Sequence, residues 1–460
     1  MDWRARTAAL LASAVLFYFG TGFTPVAGLA VLAPLPILWL APRIGAWQSA
    51  GLAFLAFALG TTNSWALYAD SVDIPIPMAA MIVVSTSLIF TAAVALFRAL
   101  VRRGFGLLAV VSAPAVHVSG WYLASVFSPA GVMGTLATGQ ADVPVVLQIA
   151  SVTGAWGVDY LVMLVPAAAA ALLTPGVARV RVATVAVLAV AATLTFGAIR
   201  LTTAADDPRY DVALIGGDAK FQWGTDVASP AGHAKLAGYT QEIARLSADM
   251  AVLPEGAFAA TDATLPQLVT PLSEVARERH TDIVVGVVLN ERNNAALTVP
   301  ASGAPVEYDK WHDRGKKIVA GNTLEYVPDT RIGLVVCGDV NFANPIRDYA
   351  TAGADLLAIP ASDEDLNGWQ HSRTALLRGV ENGVGIAWAA QRGTNLAADA
   401  WGRTITSMNT DSASVTTIAE IPAGAGATLY NRFGDWFAWL CLTLTAAALV
   451  MLTRRELKLG

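Results

Sequence analysis

The stretch "LVVCGDVNF", residues 334–342, runs from strand-forming aliphatic residues straight into a cysteine, a glycine and further polar residues. This pattern predicts a buried strand that ends at Cys337, where the backbone must turn. A thiol at such a strand end is accessible to a substrate, and the N–H groups of the turn can point at a bound oxyanion. A buried structural cysteine is the alternative, because free cysteine packs well in protein cores.

Two further stretches place a reactive side chain after a predicted strand, where open α/β sheets bind ligands. "VLPEGAF" (252–258) carries Glu255, and "EYDKWHD" (307–313) carries Lys310. Taken singly, each is better explained as an ordinary strand-end or surface charge. A thiol with a pKa of about 8.5 needs a base or a cation to become a nucleophile at neutral pH. We therefore predict Glu255 as the base and Lys310 as the cation that stabilises the thiolate of Cys337 and then the oxyanion.

A Cys–His pair is a competing arrangement, since His312 and His371 are both available. Neither lies in a stretch like those of cysteine proteases. The hypothesis that Glu255 and Lys310 activate Cys337 is therefore favoured. The chain has five His and two Cys, one of them (Cys441) in an apolar run, which disfavours a zinc site. We expect no metal and no cofactor. The sequence also has no basic stripe suited to nucleic acid.

The composition divides the chain into two parts. Hydrophobic residues make up 55% of the 460 residues and charged residues 14%, against about 25% charged in soluble proteins. Residues 1–200 contain neither Lys nor Glu, and the first of each are Lys220 and Glu242. A membrane-spanning helix needs about 20 apolar residues. Eight apolar segments predict about eight spans: 7–23, 26–41, 46–68, 76–101, 107–127, 154–174, 180–201 and 434–453.

Arginine clusters fix the predicted orientation, because basic loops face the cytoplasm. With eight spans, every cluster falls on one side, and alternate loops carry acidic residues instead. The clusters are Arg4/Arg6, Arg43, Arg98/Arg102/Arg103, Arg179/Arg181 and Arg454/Arg455/Lys458, and the acidic residues are Asp70, Asp73 and Asp142. Both termini are then cytoplasmic, and residues of about 205–430 face outward.

After residue 207 the pattern changes to strands alternating with amphipathic helices, which indicates an α/β domain. Continuous aliphatic strands indicate sheets covered by helices. We predict an N-terminal transmembrane domain with seven spans over 1–204, a catalytic domain over 205–430, and a C-terminal transmembrane helix with its cytoplasmic tail over 431–460.

The order Glu, Lys, Cys in "PEGAF", "YDKWH" and "VVCGDVNF" resembles the carbon–nitrogen hydrolase (nitrilase) superfamily, which implies an αββα sandwich and a Glu255–Lys310–Cys337 triad. With the membrane segments, the whole chain resembles the apolipoprotein N-acyltransferase family. Further stretches that carry this resemblance are "QIASVTGAWGVDYLV" (148–162), "LEYVP" (324–328), "ALLRGVENG" (375–383) and "LYNRFGDWFAWL" (429–440). Gly338 and Asp339 stand where that family usually has an aromatic residue and Glu.

The resemblance implies an enzyme of the bacterial inner membrane whose catalytic domain is extracytoplasmic. Cys337 would take an acyl group from a phospholipid as a thioester and pass it to the N-terminal amine of a diacylglyceryl-modified lipoprotein. The resemblance also assigns Glu325 as an additional carboxylate, and Lys316 and Lys317 compete with Lys310 for its role. The alternatives are a membrane-tethered amidase, acyl transfer to another amine, or a non-catalytic scaffold that binds lipid or lipoprotein.

Overall fold

A computed structural model describes residues 1–65, 67, 74–202, 209–217, 222–312, 318–363, 367–411 and 414–456. The chain forms two compact units. The first comprises Met1–Ser128, Val132–Thr202 and Phe433–Gly460, and the second comprises Thr203–Arg432 with the short segment Pro129–Gly131. The acidic residues Asp70 and Asp73, the pair Lys316 and Lys317, and Lys458 lie outside the described residues.

The described α-helices are α1 Trp3–Gly20, α2 Leu29–Leu32, α3 Leu35–Leu40, α4 Ala46–Gly60, α5 Ile76–Arg102, α6 Gly106–Phe127, α7 Pro144–Leu147, α8 Ala150–Thr153, α9 Ala155–Leu172, α10 Arg179–Thr202, α11 Pro230–Ile243, α12 Leu265–Arg279, α13 Ile346–Thr351, α14 Gly368–Asn382, α15 Leu429–Phe433 and α16 Trp436–Glu456. The described strands are β1 Arg209–Gly216, β2 Thr225–Asp226, β3 Met250–Val252, β4 Phe258–Ala260, β5 Asp282–Leu289, β6 Asn293–Val299, β7 Val306–Asp309, β8 Ile332–Leu334, β9 Leu356–Ala361, β10 Gly385–Ala390, β11 Thr394–Ala398, β12 Thr404–Asn409 and β13 Val415–Pro422.

The first unit is helical, and the expected count of eight spans is not confirmed. Among the described residues, five helices are long and apolar enough to cross a membrane, namely α5, α6, α9, α10 and the first 18 residues of α16. The predicted segment 26–41 is broken into the short helices α2 and α3, and α4 has only 15 residues. Since a span needs about 20 apolar residues, these pieces do not qualify by length.

Several buried polar groups within this unit are hydrogen-bonded, which lowers the cost of placing them in an apolar environment. The Ser13 hydroxyl donates to the Ala33 carbonyl. The N–H of Ala137 donates to the carboxylate of the fully buried Asp159 at 2.6 Å. The C-terminal helix α16 joins the same unit, because the Trp156 indole donates to Asp435 just before it at 2.7 Å.

The second unit contains two sheets. The first has eight strands in the order β13-β1-β3-β5-β4-β2, and β6 and β7 continue from β5. Strands β1, β3, β5, β4 and β2 are parallel to their neighbours, whereas β13, β6 and β7 pair antiparallel. The second sheet has the order β12-β11-β10-β9-β8. Here β8, β9 and β10 are parallel, so their carboxyl ends meet at one edge.

The two sheets pack face to face with helices outside, which is the αββα sandwich that the resemblance implied. Strand β1 lies against β10, and the Gly217 N–H donates to the Ala390 carbonyl across the sheets at 3.2 Å. Helices α11 and α12 cover the first sheet, and α14 covers β10 and β11. The apolar core beneath α11 and α12 includes Leu236, Ile243, Leu268, Leu272, Ala213, Ile215 and Val285. Each such buried side chain stabilises the fold by about 1.5–3 kcal/mol.

A substitution at Gly286 on β5 tests how closely this strand packs against the residues that follow β3. A β-carbon added there would lie 2.4 Å from both Glu255 Cα and the Pro254 carbonyl. We expect Gly286→Ala to destabilise the unit by about 1–3 kcal/mol through overpacking. The full chain in detergent should then melt several degrees lower.

The matched control is Gly238→Ala, which lies on the exposed side of α11 with no atom within 4 Å of the added β-carbon. Alanine favours a helix over glycine by about 0.5–1 kcal/mol, so this variant should melt at the same or a higher temperature. Equal melting of the two variants would contradict the close approach at Gly286.

Candidate active site

Cys337 lies at a strained turn between β8 and β9. After β8 the backbone enters a short 3₁₀ turn over Cys337–Asn341, and Cys337 itself has φ +38°. Residues other than glycine rarely adopt positive φ, and such positions cluster at functional sites. The side chain is almost fully buried, with 5% exposed. The predicted turn at Cys337 is present, but β8 ends at Leu334, three residues before the predicted end of the strand.

Glu255 and Lys310 form a buried ion pair near this turn. The Lys310 Nζ lies 2.8 Å from Glu255 Oε1, and the two side chains are 13% and 3% exposed. Glu255 follows β3, and its N–H donates to the Ala361 carbonyl at the end of β9. Lys310 follows β7, and a β-carbon built on Gly338 would lie 3.8 Å from its Nζ. The structure therefore places the lysine amine beside the backbone that follows Cys337.

Asn294 bonds to both residues of the ion pair, and no pattern in the sequence pointed to it. Its side-chain amide donates to Glu255 Oε1 at 2.7 Å, and its backbone carbonyl accepts the backbone N–H of Lys310 at 2.9 Å. Asn294 lies inside β6, whose neighbours are β5 and β7. A buried carboxylate with two donors on one oxygen is well fixed, because such charge-assisted bonds are short and strong.

The charges around Cys337 favour a neutral thiol at rest. Burial raises the pKa of the Cys337 thiol well above its usual range, and the negative charges of Glu255 and Asp363 raise it further. The positive charge of Lys310 opposes them and lowers that pKa. Burial alone would lower the pKa of the Lys310 amine, but Glu255 and Cys337 outweigh it, and the pKa is raised overall. The amine is thus charged and the thiol protonated.

Asp339 explains one departure from the family pattern. Its carboxylate is completely buried. It accepts the Tyr308 hydroxyl at 2.8 Å, the His312 N–H at 2.9 Å and a His312 ring N–H at 3.0 Å. The His312 ring also stacks on Phe342, with centroids 3.7 Å apart. Asp339 therefore ties the turn after Cys337 to the segment 308–312, in which Lys310 lies.

A second polar group meets the thiol from the other side. The Cys337 sulfur lies 3.5 Å from the Ser362 carbonyl, to which it donates, and 4.0 Å from Nδ1 of His371. The same ring nitrogen lies 2.6 Å from Asp363 Oδ1. The sequence analysis named His371 as a candidate for a Cys–His pair. Its partner Asp363 lies eight residues before it in a loop, and this spacing alone does not indicate a pair. Its position on the buried face of the amphipathic helix α14 is the one usable signal.

Among the described residues, Cys337, Asp363 and His371 are the set that could hold a metal ion, with possible ligand atoms within 4.8 Å of one another. Nitrogen and oxygen ligands of tetrahedral zinc lie about 2.0–2.2 Å from the ion, which separates them by about 3.3 Å. The 2.6 Å between His371 and Asp363 is instead the length of a charge-assisted hydrogen bond. We therefore assign this pair to hydrogen bonding.

Glu325 is not brought to the ion pair by any described contact. Its N–H and carbonyl both bond the Tyr349 hydroxyl at 2.9 Å, and the side chain is partly exposed. Within the described residues, its carboxylate makes no hydrogen bond or ion pair with Glu255, Lys310 or Cys337. The role of Glu325 as an additional carboxylate of the site stays a prediction.

Comparisons with known proteins match both units. The carbon–nitrogen hydrolase family model matches residues 212–429, and the model of the apolipoprotein N-acyltransferase N-terminal domain matches residues 13–168. The apolipoprotein N-acyltransferase of Geobacter metallireducens is 26% identical over 358 residues, which covers 67% of this chain and 68% of that protein. The apolipoprotein N-acyltransferase of Gloeobacter violaceus is 35% identical over 133 residues, 26% of this chain and 24% of that protein.

Solved structures align with part of the chain. A Nesterenkonia amidase variant from the nitrilase superfamily aligns over 46% of this chain and 90% of its own, with 19% identity and a TM-score of 0.38. The C. elegans NitFhit protein aligns over 46% of this chain and 61% of its own, with 19% identity and a TM-score of 0.39.

The thiol of Cys337 should respond in opposite directions to its two charged neighbours. Lys310→Met removes the charge that lowers the thiol pKa, so alkylation by iodoacetamide should slow. Glu255→Gln removes a charge that raises it, so alkylation should quicken. The rates are measured from pH 6 to 10 by mass spectrometry of the Cys337 peptide, and both rise with pH as the thiolate forms. A change of the same sign in both variants would contradict this arrangement.

Asp339→Asn should loosen the segment that carries Lys310. The amide presents a donor to groups that already donate, which leaves buried donors unpaired and costs about 1–3 kcal/mol. We expect a lower melting temperature and slower alkylation of Cys337, since Lys310 moves away. Asp226→Asn, at an exposed carboxylate in the same unit, is the control and should change neither. An Asp339 variant that matched this control would show that the carboxylate does not position the lysine.

Proposed function

Because the chain belongs to the apolipoprotein N-acyltransferase family, we propose that it transfers a fatty acyl group from a phospholipid to the N-terminal amine of a diacylglyceryl-modified lipoprotein. The observation that carries this proposal is the buried assembly of Cys337, Glu255 and Lys310 in a unit whose chain continues into apolar helices on both sides. Both substrates are anchored in a membrane, so an enzyme that joins them must be anchored there as well.

In the first step Glu255 takes the proton of the Cys337 thiol, and the sulfur attacks the carbonyl carbon of the phospholipid ester. Lys310 donates to the oxygen of the tetrahedral intermediate, where negative charge develops. The carbon–oxygen bond then breaks, and Glu255 returns its proton to the departing lysophospholipid alkoxide. The acyl group is left as a thioester on Cys337.

In the second step the lipoprotein amine attacks the thioester carbonyl, and Lys310 again faces the oxyanion. The carbon–sulfur bond breaks, and the amide product forms. Glu255 accepts the surplus proton of the amine and passes it to the Cys337 thiolate, which restores the resting thiol. The neutral resting thiol and charged lysine described above are the protonation states from which this cycle starts.

The arginine clusters support the proposed orientation, which rests on the eight spans predicted from the sequence. With basic loops on the cytoplasmic side, the catalytic unit lies outside the cytoplasmic membrane of a bacterium, in contact with the lipids and lipoproteins of the outer leaflet. The described arginines of that side are Arg4, Arg6, Arg43, Arg98, Arg102, Arg103, Arg179 and Arg181.

The test traps the intermediate. The purified full chain is incubated with acyl-labelled phosphatidylethanolamine, and the Cys337 peptide is analysed by mass spectrometry. We expect an acylated peptide that is lost when a diacylated lipopeptide is added, with the label recovered as an amide. Cys337→Ser should abolish the thioester, whereas Cys441→Ser, at the other cysteine, should leave it intact.

Two outcomes would overturn the proposal. Label that passes from Cys337 to water, and not to the lipopeptide, would identify a hydrolase. The absence of label on Cys337 with every phospholipid donor would contradict the proposed acyl-enzyme intermediate.

A further inference from the structure

We propose that His371, held by Asp363, donates a hydrogen bond from Nδ1 to the Cys337 thiolate each time that thiolate forms. This role rests on the proposed thioester cycle. It makes His371 a further catalytic residue beside Glu255 and Lys310, and Asp363 a residue that positions it.

The contacts converge on one ring nitrogen. Nδ1 of His371 lies 2.6 Å from Asp363 Oδ1 and 4.0 Å from the Cys337 sulfur. The side chains of His371 and Asp363 are 2% and 1% exposed, so water does not compete for this nitrogen. Asp363 follows β9 and His371 lies in the first turn of α14, so these elements bring both groups to the sulfur.

The proton on this nitrogen can be assigned from its partner. An ionised carboxylate only accepts hydrogen bonds, so a 2.6 Å contact requires that Nδ1 carry the hydrogen. The N–H is therefore present on the side of the ring that faces both the carboxylate and the sulfur. Without Asp363, the proton could equally sit on Nε2, and Nδ1 would face the thiolate as an acceptor.

The ring has little freedom to turn away. It packs edge-on against the indole of Trp388, with centroids 4.9 Å apart and an interplanar angle of 72°. At the start of α14, a β-carbon on Gly368 would lie 2.2 Å from Gly393 Cα, so the helix start is pressed against the loop after β10. Among the described residues, Nε2 is buried without a hydrogen-bond partner, so Nδ1 alone orients the imidazole.

A donor at this place is needed because the thiolate is surrounded by negative charge. The charged and titratable groups that face the Cys337 sulfur or lie on its turn are Glu255, Asp363, Lys310, His371 and Asp339. Lys310 is also the donor to the oxyanion, so it cannot serve both atoms fully in the tetrahedral intermediate. His371 supplies the second donor to sulfur without transferring a proton, so every atom in the two steps above stays accounted for.

The contact is long in the resting state and should shorten in the cycle. At rest the neutral thiol donates to the Ser362 carbonyl at 3.5 Å, and the imidazole N–H is directed to Asp363. Once Glu255 has taken the thiol proton, the sulfur becomes an acceptor and can share the N–H. A hydrogen bond to a charged atom is stronger than one to a neutral atom, which favours the thiolate.

The test compares two variants of His371 by alkylation of Cys337 with iodoacetamide over pH 6 to 10. His371→Leu removes the donor, and His371→Asn keeps an amide N–H near the position of Nδ1. We expect His371→Leu to slow alkylation at pH 7 about tenfold or more and to move the pH profile upward. His371→Asn should recover most of the rate, and His233→Gln, at an exposed histidine, should match the parent.

Asp363→Asn tells whether the carboxylate acts through the imidazole. With His371 present, this variant should slow alkylation, because Nδ1 loses its hydrogen. In the His371→Leu background the same change should quicken it, because only a negative charge beside the thiol is lost. The same sign in both backgrounds, or equal rates for His371→Leu and His371→Asn, would overturn the proposal.

The melting temperature of each variant separates these effects from unfolding. We expect His371→Asn and His371→Leu to have equal stability and different alkylation rates. The readout does not depend on acyl transfer. If the parent forms no thioester with any phospholipid, the proposed function fails, while the alkylation profiles still decide the role of His371.

Discussion

The buried ion pair between Glu255 and Lys310 is the interaction on which the catalytic unit depends. A charge taken out of water costs several kcal/mol unless it is paired and hydrogen-bonded. Neither side chain can therefore be placed without the other. Asn294 donates to the Glu255 carboxylate, and its backbone carbonyl accepts the backbone N–H of Lys310. This requirement brings the ends of β3 and β7 together through β6. The thiol comes from the second sheet, so the site exists only where the two sheets face each other.

The same burial sets the chemical state of the thiol. In an exposed loop Cys337 would be partly ionised and open to oxidation and water. Here desolvation and two carboxylates hold it neutral, and one lysine provides the opposing charge. In the proposed cycle the nucleophile forms when a base beside it takes the proton. The proposed thioester would benefit from burial, because a site that excludes water protects the acyl group until the amine arrives.

Much of this site could be predicted from the sequence, because its three central residues each follow a strand. Glu255 and Cys337 end aliphatic runs, and Lys310 follows a short predicted strand. Asn294 is hidden, since it occupies one position within a strand and its partner is 39 residues away. His371 is one of several polar residues on an amphipathic helix, and its partner lies in a loop with no periodic pattern. Long-range pairing of this kind is fixed by the packing of the sheets.

The helices of the first unit also could be predicted only in part from the sequence. Hydropathy located the long helices, but it missed α7 and α8 and could not tell that segment 26–41 divides into α2 and α3. The short helices end where glycine, proline and tertiary packing interrupt a run that is apolar throughout. Apolar composition indicates that a helix lies in an apolar environment. Whether the helix can span a membrane depends on its length, and the structure is needed to define that length.

Asp339 and Glu255 are two buried carboxylates of one site with different tasks, and their donors decide which task each has. The hydrogen bonds of Asp339 come from a hydroxyl, a backbone N–H and a ring N–H, all within the protein framework. A carboxylate with such donors anchors the structure around it. Glu255 instead faces a lysine and a thiol, which both change their bonds during acyl transfer. Gly338, between Cys337 and Asp339, places no side chain beside the Lys310 amine, since a β-carbon there would lie 3.8 Å from Nζ.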